Sequence, residues 1–208
     1  MIERLAYLIK THLPGIFPVI AYAGQWVTVL RFSRRRAEAL AEASIQGEVA
    51  GQRAVMRPLG LADLDALQGF IEAMPASHLA YFHPHGFGRA DLTAVLRSRS
   101  FMTSGWLVED ALAAYALLKL APTGSAFIGL LVGPAHTGKG LGRFIVAYLY
   151  WQALLAGLRT RSTISRHNAA SLRSHQAVAD FAVIAELPND YLMIEFPRVG
   201  RDRPVLGL

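Results

Sequence analysis

The chain has 208 residues and no cysteine, so it is long enough for one domain with an extension to fold around its own core, while disulfides and thiolate metal sites are excluded. Lysine and arginine number 21 against 15 aspartates and glutamates, a net charge of +6 that suits an anionic ligand, a nucleic acid or an anionic membrane surface without choosing among them. None of the seven histidines stands in a His-x-x-x-His pair or beside a carboxylate at ligand spacing, and no metal site is expected.

Leu13 to Leu30 carries no charge and runs into Arg31, Arg34, Arg35 and Arg36. That length just reaches the threshold for a membrane-spanning helix. Pro14, Gly15 and Pro18 at its start, with Gly24, Gln25 and Thr28 inside it, shorten the good helix to about Val19 to Leu30. A short apolar helix flanked by arginines suits a membrane surface, and the same face in residues 13–36 would equally cover the domain or make a homodimer contact. No small-residue cleavage site follows, and the arginines lie on the wrong side for a signal peptide. Ala37 to Val49, rich in alanine and glutamate, reads as a solvated helical linker, and Gly51 as a boundary. The expected organisation is a helical extension over residues 1–50, a domain over 51–198 and a tail over 199–208.

Arg53 to Leu59 alternates polar and apolar residues up to a proline and predicts a strand, and Leu61, Leu64, Leu67, Phe70 and Ile71 recur at helical spacing. Ala76 to Arg89 has no period but is rich in aromatics and histidines, a composition that marks a working loop. A short helix is expected over Asp91 to Arg97. A hairpin follows, with strands Gly105 to Glu109 and Leu112 to Leu120 turned at Asp110-Ala111. Ala126 to Val132 reads as a buried strand, and Phe144 to Leu155 is long enough for a helix. Then come a strand over Thr160 to Ser165, a helix over Asn168 to Val178, and strands over Ala182 to Leu187 and Tyr191 to Phe196. This order predicts an α/β fold with a mixed sheet and helices on both faces.

Between the buried strand and the long helix lies Val132-Gly133-Pro134-Ala135-His136-Thr137-Gly138-Lys139-Gly140-Leu141-Gly142-Arg143. Glycines at alternate positions leave backbone N–H groups free to turn toward one anion, and a helix N-terminus adds its dipole. Gly133 to Gly140 nearly spells a nucleotide-binding P-loop, but Gly140 stands where the Mg²⁺-holding Ser or Thr is required. The segment Gly138 to Arg143 instead resembles the pyrophosphate loop of the GNAT superfamily of acyl-CoA-dependent N-acyltransferases, Gln/Arg-x-x-Gly-x-Gly/Ala. Gly140 and Gly142 match, and Thr137 replaces the usual Gln or Arg. Asn168-Ala169-Ala170-Ser171, with His175 four positions on, resembles the second GNAT segment, in which many relatives have tyrosine at the last position. By chemistry alone, Asn168 is a good helix cap. The resemblance covers about residues 51 to 197.

The resemblance implies acetyl-CoA as the acyl donor and no metal. Its pyrophosphate would rest on Thr137, Gly138, Lys139, Gly140, Leu141, Gly142 and Arg143, its pantetheine arm and acyl carbonyl on the backbone of Leu131 and Val132, with Asn168 and Ser171 beside it. The acceptor is expected to be a small amine, and the location cytoplasmic, with peripheral contact to the inner membrane face as the reading for the extension; nucleic acid is not an expected partner. A lysine-like amine costs roughly 4 to 5 kcal/mol to deprotonate at pH 7, an α-amino-like group about 1. The strand before the glycine loop has no carboxylate base, which favours an amine of modest basicity, from an amino sugar or an amino acid. His85, His83 and Glu109 are the candidate bases, His85 first, and His175 the candidate acid for the departing thiolate. The missing carboxylate also admits a domain that holds acyl-CoA without turnover.

Overall fold

A computed structural model describes residues 17–49 and 51–205. Its strands are β1 (Ile45–Val49), β2 (Gln52–Pro58), β3 (Phe101–Val108), β4 (Ala111–Leu120), β5 (Ser125–Val132), β6 (Arg159–Ser165), β7 (Ala182–Leu187) and β8 (Tyr191–Glu195), and its helices α1 (Phe17–Ala41), α2 (Leu64–Glu72), α3 (Ala76–Leu79), α4 (Arg89–Arg97), α5 (Leu141–Leu155) and α6 (Ala169–Gln176). The strands make one sheet in the order β1-β2-β3-β4-β5-β6-β8-β7. All neighbours are antiparallel except β5 and β6, joined in parallel through the crossover helix α5. The mixed sheet between helices is the fold class expected from the order of elements.

Side chains alternate across a strand, and β4 shows what this does. Ala114, Ala116 and Leu118 enter the core under α1 and α5, while Tyr115 and Leu117 enter the core under α2 and α4. Helix α5 is buried on several sides, with Ile145, Val146, Tyr148 and Tyr150 all in the core, so its sequence is apolar nearly all round instead of on one stripe. Two of its tyrosines reach in different directions. The Tyr148 hydroxyl donates to the Ala43 carbonyl at 2.9 Å and lies 3.1 Å from the Ser104 hydroxyl, whereas the Tyr150 hydroxyl donates to the Pro197 carbonyl and its ring stacks on Phe196.

The extension differs from expectation. Helix α1 runs unbroken through the arginine cluster to Ala41, and residues 45–49 form an edge strand instead of a solvated helical linker. Ile45 to Val49 pair in register with Met56 to Gln52, which makes Gly51 the turn of a hairpin and not the start of the domain. Phe32, Ala39, Ala43 and Ile45 lie in the main core, because the α1 face carrying Thr28, Phe32 and Ala39 packs inward. Of the stretch 13–36, residues 13–16 fall outside the described residues; among the described residues no helix is long and apolar enough to cross a membrane. The β3–β4 turn falls one residue earlier than expected, at Glu109-Asp110, both with positive φ.

Candidate active site

β5 and β6 share only three ladder positions, Ser125 with Arg159, Ala126 with Thr160 and Phe127 with Arg161. Beyond Phe127 the two strands are no longer paired. The Gly133 N–H donates to the Ala113 carbonyl at 2.9 Å, so strand alternation turns the backbone of Phe127, Gly129 and Leu131 toward β4 and that of Ile128, Leu130 and Val132 into the opening. Leu131, expected to present its backbone there, instead pairs with Tyr115 and borders the cleft only as a lining residue; Val132 faces it. The opening belongs to a cleft of about 1000 Å³ that reaches from the loop Ser77–Pro84 to the glycine loop and α6.

At one end of the cleft the chain turns from β5 into α5. Gly140 has φ +82°, a left-handed conformation at the N-cap, and no side chain caps the helix there. Phe144 is the first residue whose N–H finds a carbonyl within the helix, that of Gly140, which leaves the N–H groups of Leu141, Gly142 and Arg143 without an intrahelical partner. A Cβ at Gly142 would stand 2.9 Å from the Ser174 Oγ, so the bare backbone lets α6 close against the start of α5. Gly138, Gly140, Gly142 and Arg143 all line the cleft, and a Cβ at Gly138 would meet nothing within 4 Å. Uncapped N–H groups, a helix dipole and an arginine around open space fit a pyrophosphate. The other loop residues play supporting parts. The Leu141 side chain is buried and anchors the turn, the Thr137 hydroxyl donates to the Pro134 carbonyl at 2.8 Å, and Lys139 does not line the cleft. Across the cleft, Asn168 caps α6 by accepting from the Ser171 N–H at 3.0 Å, and both residues line the wall.

The four candidate acids and bases separate. His83 is exposed and lines the cleft, with Nε2 donating to the Ala80 carbonyl at 3.2 Å. His85 points away from it, into the rings of Phe82, Phe87, Phe101 and Tyr115. Its Nδ1 donates to the Gly86 carbonyl at 2.7 Å and its Nε2 accepts from the Tyr115 hydroxyl at 3.0 Å, so both nitrogens are occupied. Burial lowers its pKa, and burial raises that of Tyr115. Glu109 lies in the hairpin turn, does not line the cleft, and accepts from the Arg53 N–H at 2.7 Å.

His175 does line the cleft, but as a core residue only 1% exposed that stacks on Phe196. Its Nδ1 donates to the Ser171 carbonyl at 2.8 Å, and its Nε2 is buried with no hydrogen-bond partner. Burial lowers its pKa to about 4, so the imidazole is neutral at pH 7 and its Nε2 is a bare acceptor. The residue that sequence reasoning passed over is His78 on α3, which lines the cleft and donates from Nδ1 to the Val132 carbonyl at 3.4 Å. No carboxylate stands among the described residues lining the cleft, and no group of three or more metal-ligating side chains occurs among the described residues.

The sequence profile of the Acetyltransferase (GNAT) family matches residues 66–181, more than half of the chain and a span that holds both the glycine loop and the Asn168 segment. The chain belongs to the GNAT acetyltransferase family. Solved GNAT structures share its fold at low identity. The GNAT domain of PAT from S. lividans superposes with a TM-score of 0.65 at 15% identity, covering 75% of this chain and 97% of that one. YncA, a putative acetyltransferase from Salmonella typhimurium solved with its cofactor acetyl-CoA, gives 0.57 at 20% identity, covering 73% and 97%. PaiA N-acetyltransferase from Thermoplasma acidophilum, solved with coenzyme A, gives 0.57 at 16%, covering 68% and 97%. No functionally curated protein matches the sequence. In this GNAT chain the family match adds a fold and a class of chemistry to a site whose geometry already fits a pyrophosphate.

Proposed function

We propose that this GNAT protein is an N-acetyltransferase that moves the acetyl group of acetyl-CoA to the amine of a small, amino-acid-like acceptor that itself carries an anionic group. The observation that carries this reading is the charge of the cleft. Lys119, Arg143 and Arg173 line it with four histidines and not one aspartate or glutamate. A polycationic amino sugar would enter such a cleft unpaired, whereas a carboxylate beside the reacting amine gains a partner. Lys119 suits that role, because it lines the cleft together with Tyr81, His83 and Pro84 of the aromatic loop and lies on the same face of the sheet as Leu117.

Acetyl-CoA would supply the thioester, held by the N–H groups from Leu141 to Arg143 and by the backbone of Ile128, Leu130 and Val132 that faces the opening. His78 is the proton acceptor in this reading. Its Nδ1–H is committed to the Val132 carbonyl, which fixes the tautomer and leaves the Nε2 lone pair available beside the strand that presents the acyl group. An α-amino group costs only about 1 kcal/mol to deprotonate at pH 7, so a histidine suffices where a lysine-like amine would call for a stronger base. His175 does not serve as an acid: its one N–H is held by Ser171, and a thiolate with a pKa of about 8.5 leaves without a strong acid.

The test is release of free CoA thiol by the full chain with acetyl-CoA against a panel of amino-acid amines and amino sugars, repeated with His78→Gln and Lys119→Met. Lys119→Met should raise KM for the amino-acid amines at least tenfold, and His78→Gln should lower kcat at least tenfold with CoA affinity retained. Turnover of amino sugars alone would overturn the acceptor class. Tight acetyl-CoA binding with no turnover of any amine would favour instead a silent acyl-CoA-binding domain, the reading that the acid-free cleft also admits.

A further inference from the structure

At the opposite end of the sheet from the pyrophosphate loop lies a second concavity, of about 680 Å³, lined by Arg31, Arg34, Arg35, Arg159 and Arg198 around Phe32, Thr123, Gly124 and Gly157. Gly124 precedes β5 and Arg159 opens β6, so this groove and the glycine loop are separated by the length of β5, roughly 25 Å. The guanidinium groups come from three parts of the chain far apart in sequence. Two are held by the backbone: Arg31 Nη1 donates to the Pro122 carbonyl at 3.4 Å while lying over the Phe32 ring at 5.1 Å, and Arg159 Nη2 donates to the Thr123 carbonyl at 3.0 Å. Arg35 lies so close to Gly157 that a Cβ there would stand 2.5 Å from its Nη1. Arg34 pairs with Glu38 on the exposed side of α1, and no carboxylate lines the groove itself among the described residues. The C-terminus of α5, just before Gly157, accounts for one neighbouring cation through its dipole, not for five.

Beside the groove the outward face of α1 is apolar. Trp26, Val27 and Leu30 are 55%, 49% and 79% exposed.

 Thr28, Phe32 and Ala39 face the core, and the three apolar side chains stand on the opposite side of the helix, with Arg31, Arg34 and Arg35 following within two turns.

We propose that this arginine groove seats the phosphate headgroups of an anionic lipid bilayer, with Trp26, Val27 and Leu30 entering the apolar layer beneath them. Charge complementarity selects the occupant. A second copy of the chain would bring five arginines against five in a two-fold contact, and a nucleic acid offers no apolar layer to Leu30. Each cation at an anionic surface strengthens binding roughly fivefold. The glycine loop stays clear of the membrane, because it lies at the far end of β5.

The test is sedimentation of the full chain with vesicles of phosphatidylglycerol and phosphatidylcholine, against vesicles of phosphatidylcholine alone. Binding should require phosphatidylglycerol and weaken with added salt. The double variant Arg159→Gln, Arg198→Gln should lose about twenty-five-fold in vesicle affinity with CoA affinity unchanged by calorimetry. Should that variant fail to fold, Arg198→Gln alone, an exposed position, should lose about fivefold. Leu30→Ser should also weaken binding to the anionic vesicles. Equal binding to both vesicle types, no vesicle binding, or full binding by a folded arginine variant would each overturn the proposal. So would binding of inorganic phosphate without vesicles, or a dimer in solution that Leu30→Ser dissociates.

Discussion

Replacing His175 with phenylalanine tests how the core beside the cleft is wired. His175 is 1% exposed and its pKa is lowered to about 4 by burial, from 6.5 in the open chain. The unfolded chain therefore binds the proton more readily, and between those two values it holds more protons than the native state. The contribution of this residue to stability is complete above pH 6.5 and is lost as the pH falls toward 4, at up to about 1.4 kcal/mol per pH unit and about 3 kcal/mol in all. His175→Phe removes the titrating group but keeps a ring against Phe196, which now lies 5.9 Å away and nearly parallel. Urea unfolding of parent and variant at a series of pH values between 7 and 4.5 gives the difference curve, from which the carboxylates common to both cancel. The parent should lose stability faster than the variant across that window. Parallel curves, or an NMR titration that puts the His175 ring above pH 6, would refute the burial argument and restore His175 as a proton donor at neutral pH.

Gly140→Asp should weaken CoA at least tenfold by calorimetry with the fold kept, since φ +82° disfavours a side chain there and a carboxylate would face the pyrophosphate. His85→Ala should act on stability more than on catalysis: it opens a cavity among four rings and strands the buried Tyr115 hydroxyl, a loss of about 1 to 3 kcal/mol visible in the melting temperature, with kcat for the best amine within about tenfold. A hundredfold fall in kcat at unchanged stability would return His85 to the role of base. A chain begun at Gly51 should fail to fold or should aggregate, because it loses β1 and the buried Phe32, Ala39 and Ala43; soluble truncated protein with full CoA affinity would show that the extension is dispensable.

Much of the sheet was legible from periodicity, since β2, β4, β5 and β7 carry either clean alternation or unbroken apolar runs, and the glycine spacing located the anion loop. β1 was not, because Ile45-Gln46-Gly47-Glu48-Val49 follows a helix-favouring run and is an edge strand whose pairing with β2, not its own composition, makes it extended. The β3–β4 turn was legible but placed one residue late, as two acidic residues in left-handed conformations carry no glycine signal to fix its position. The site was less legible than the fold. His78 sits in a stretch of sequence with no periodicity and becomes interesting only where α3 meets the end of β5. His175 lies on a helix with no apolar stripe, and its burial comes from Phe196, twenty-one positions on. The arginine groove needed three distant segments to meet before it existed at all.

The three shared positions between β5 and β6 make the sheet two plates, β1 to β5 on one side and β6, β8 and β7 on the other. Helix α5 clasps them: Tyr148 bonds to Ala43, just before β1, and to Ser104 of β3 in the first plate, while Tyr150 bonds to Pro197 and stacks on Phe196 beside the second. With so short a ladder between them, the plates should open as separate cooperative units in native-state hydrogen exchange, the smaller one first. A ligand lying in the seam and touching both plates would then tie their openings together, so that occupancy is felt as slowed exchange in β7, the outer strand, none of whose residues lines the cleft.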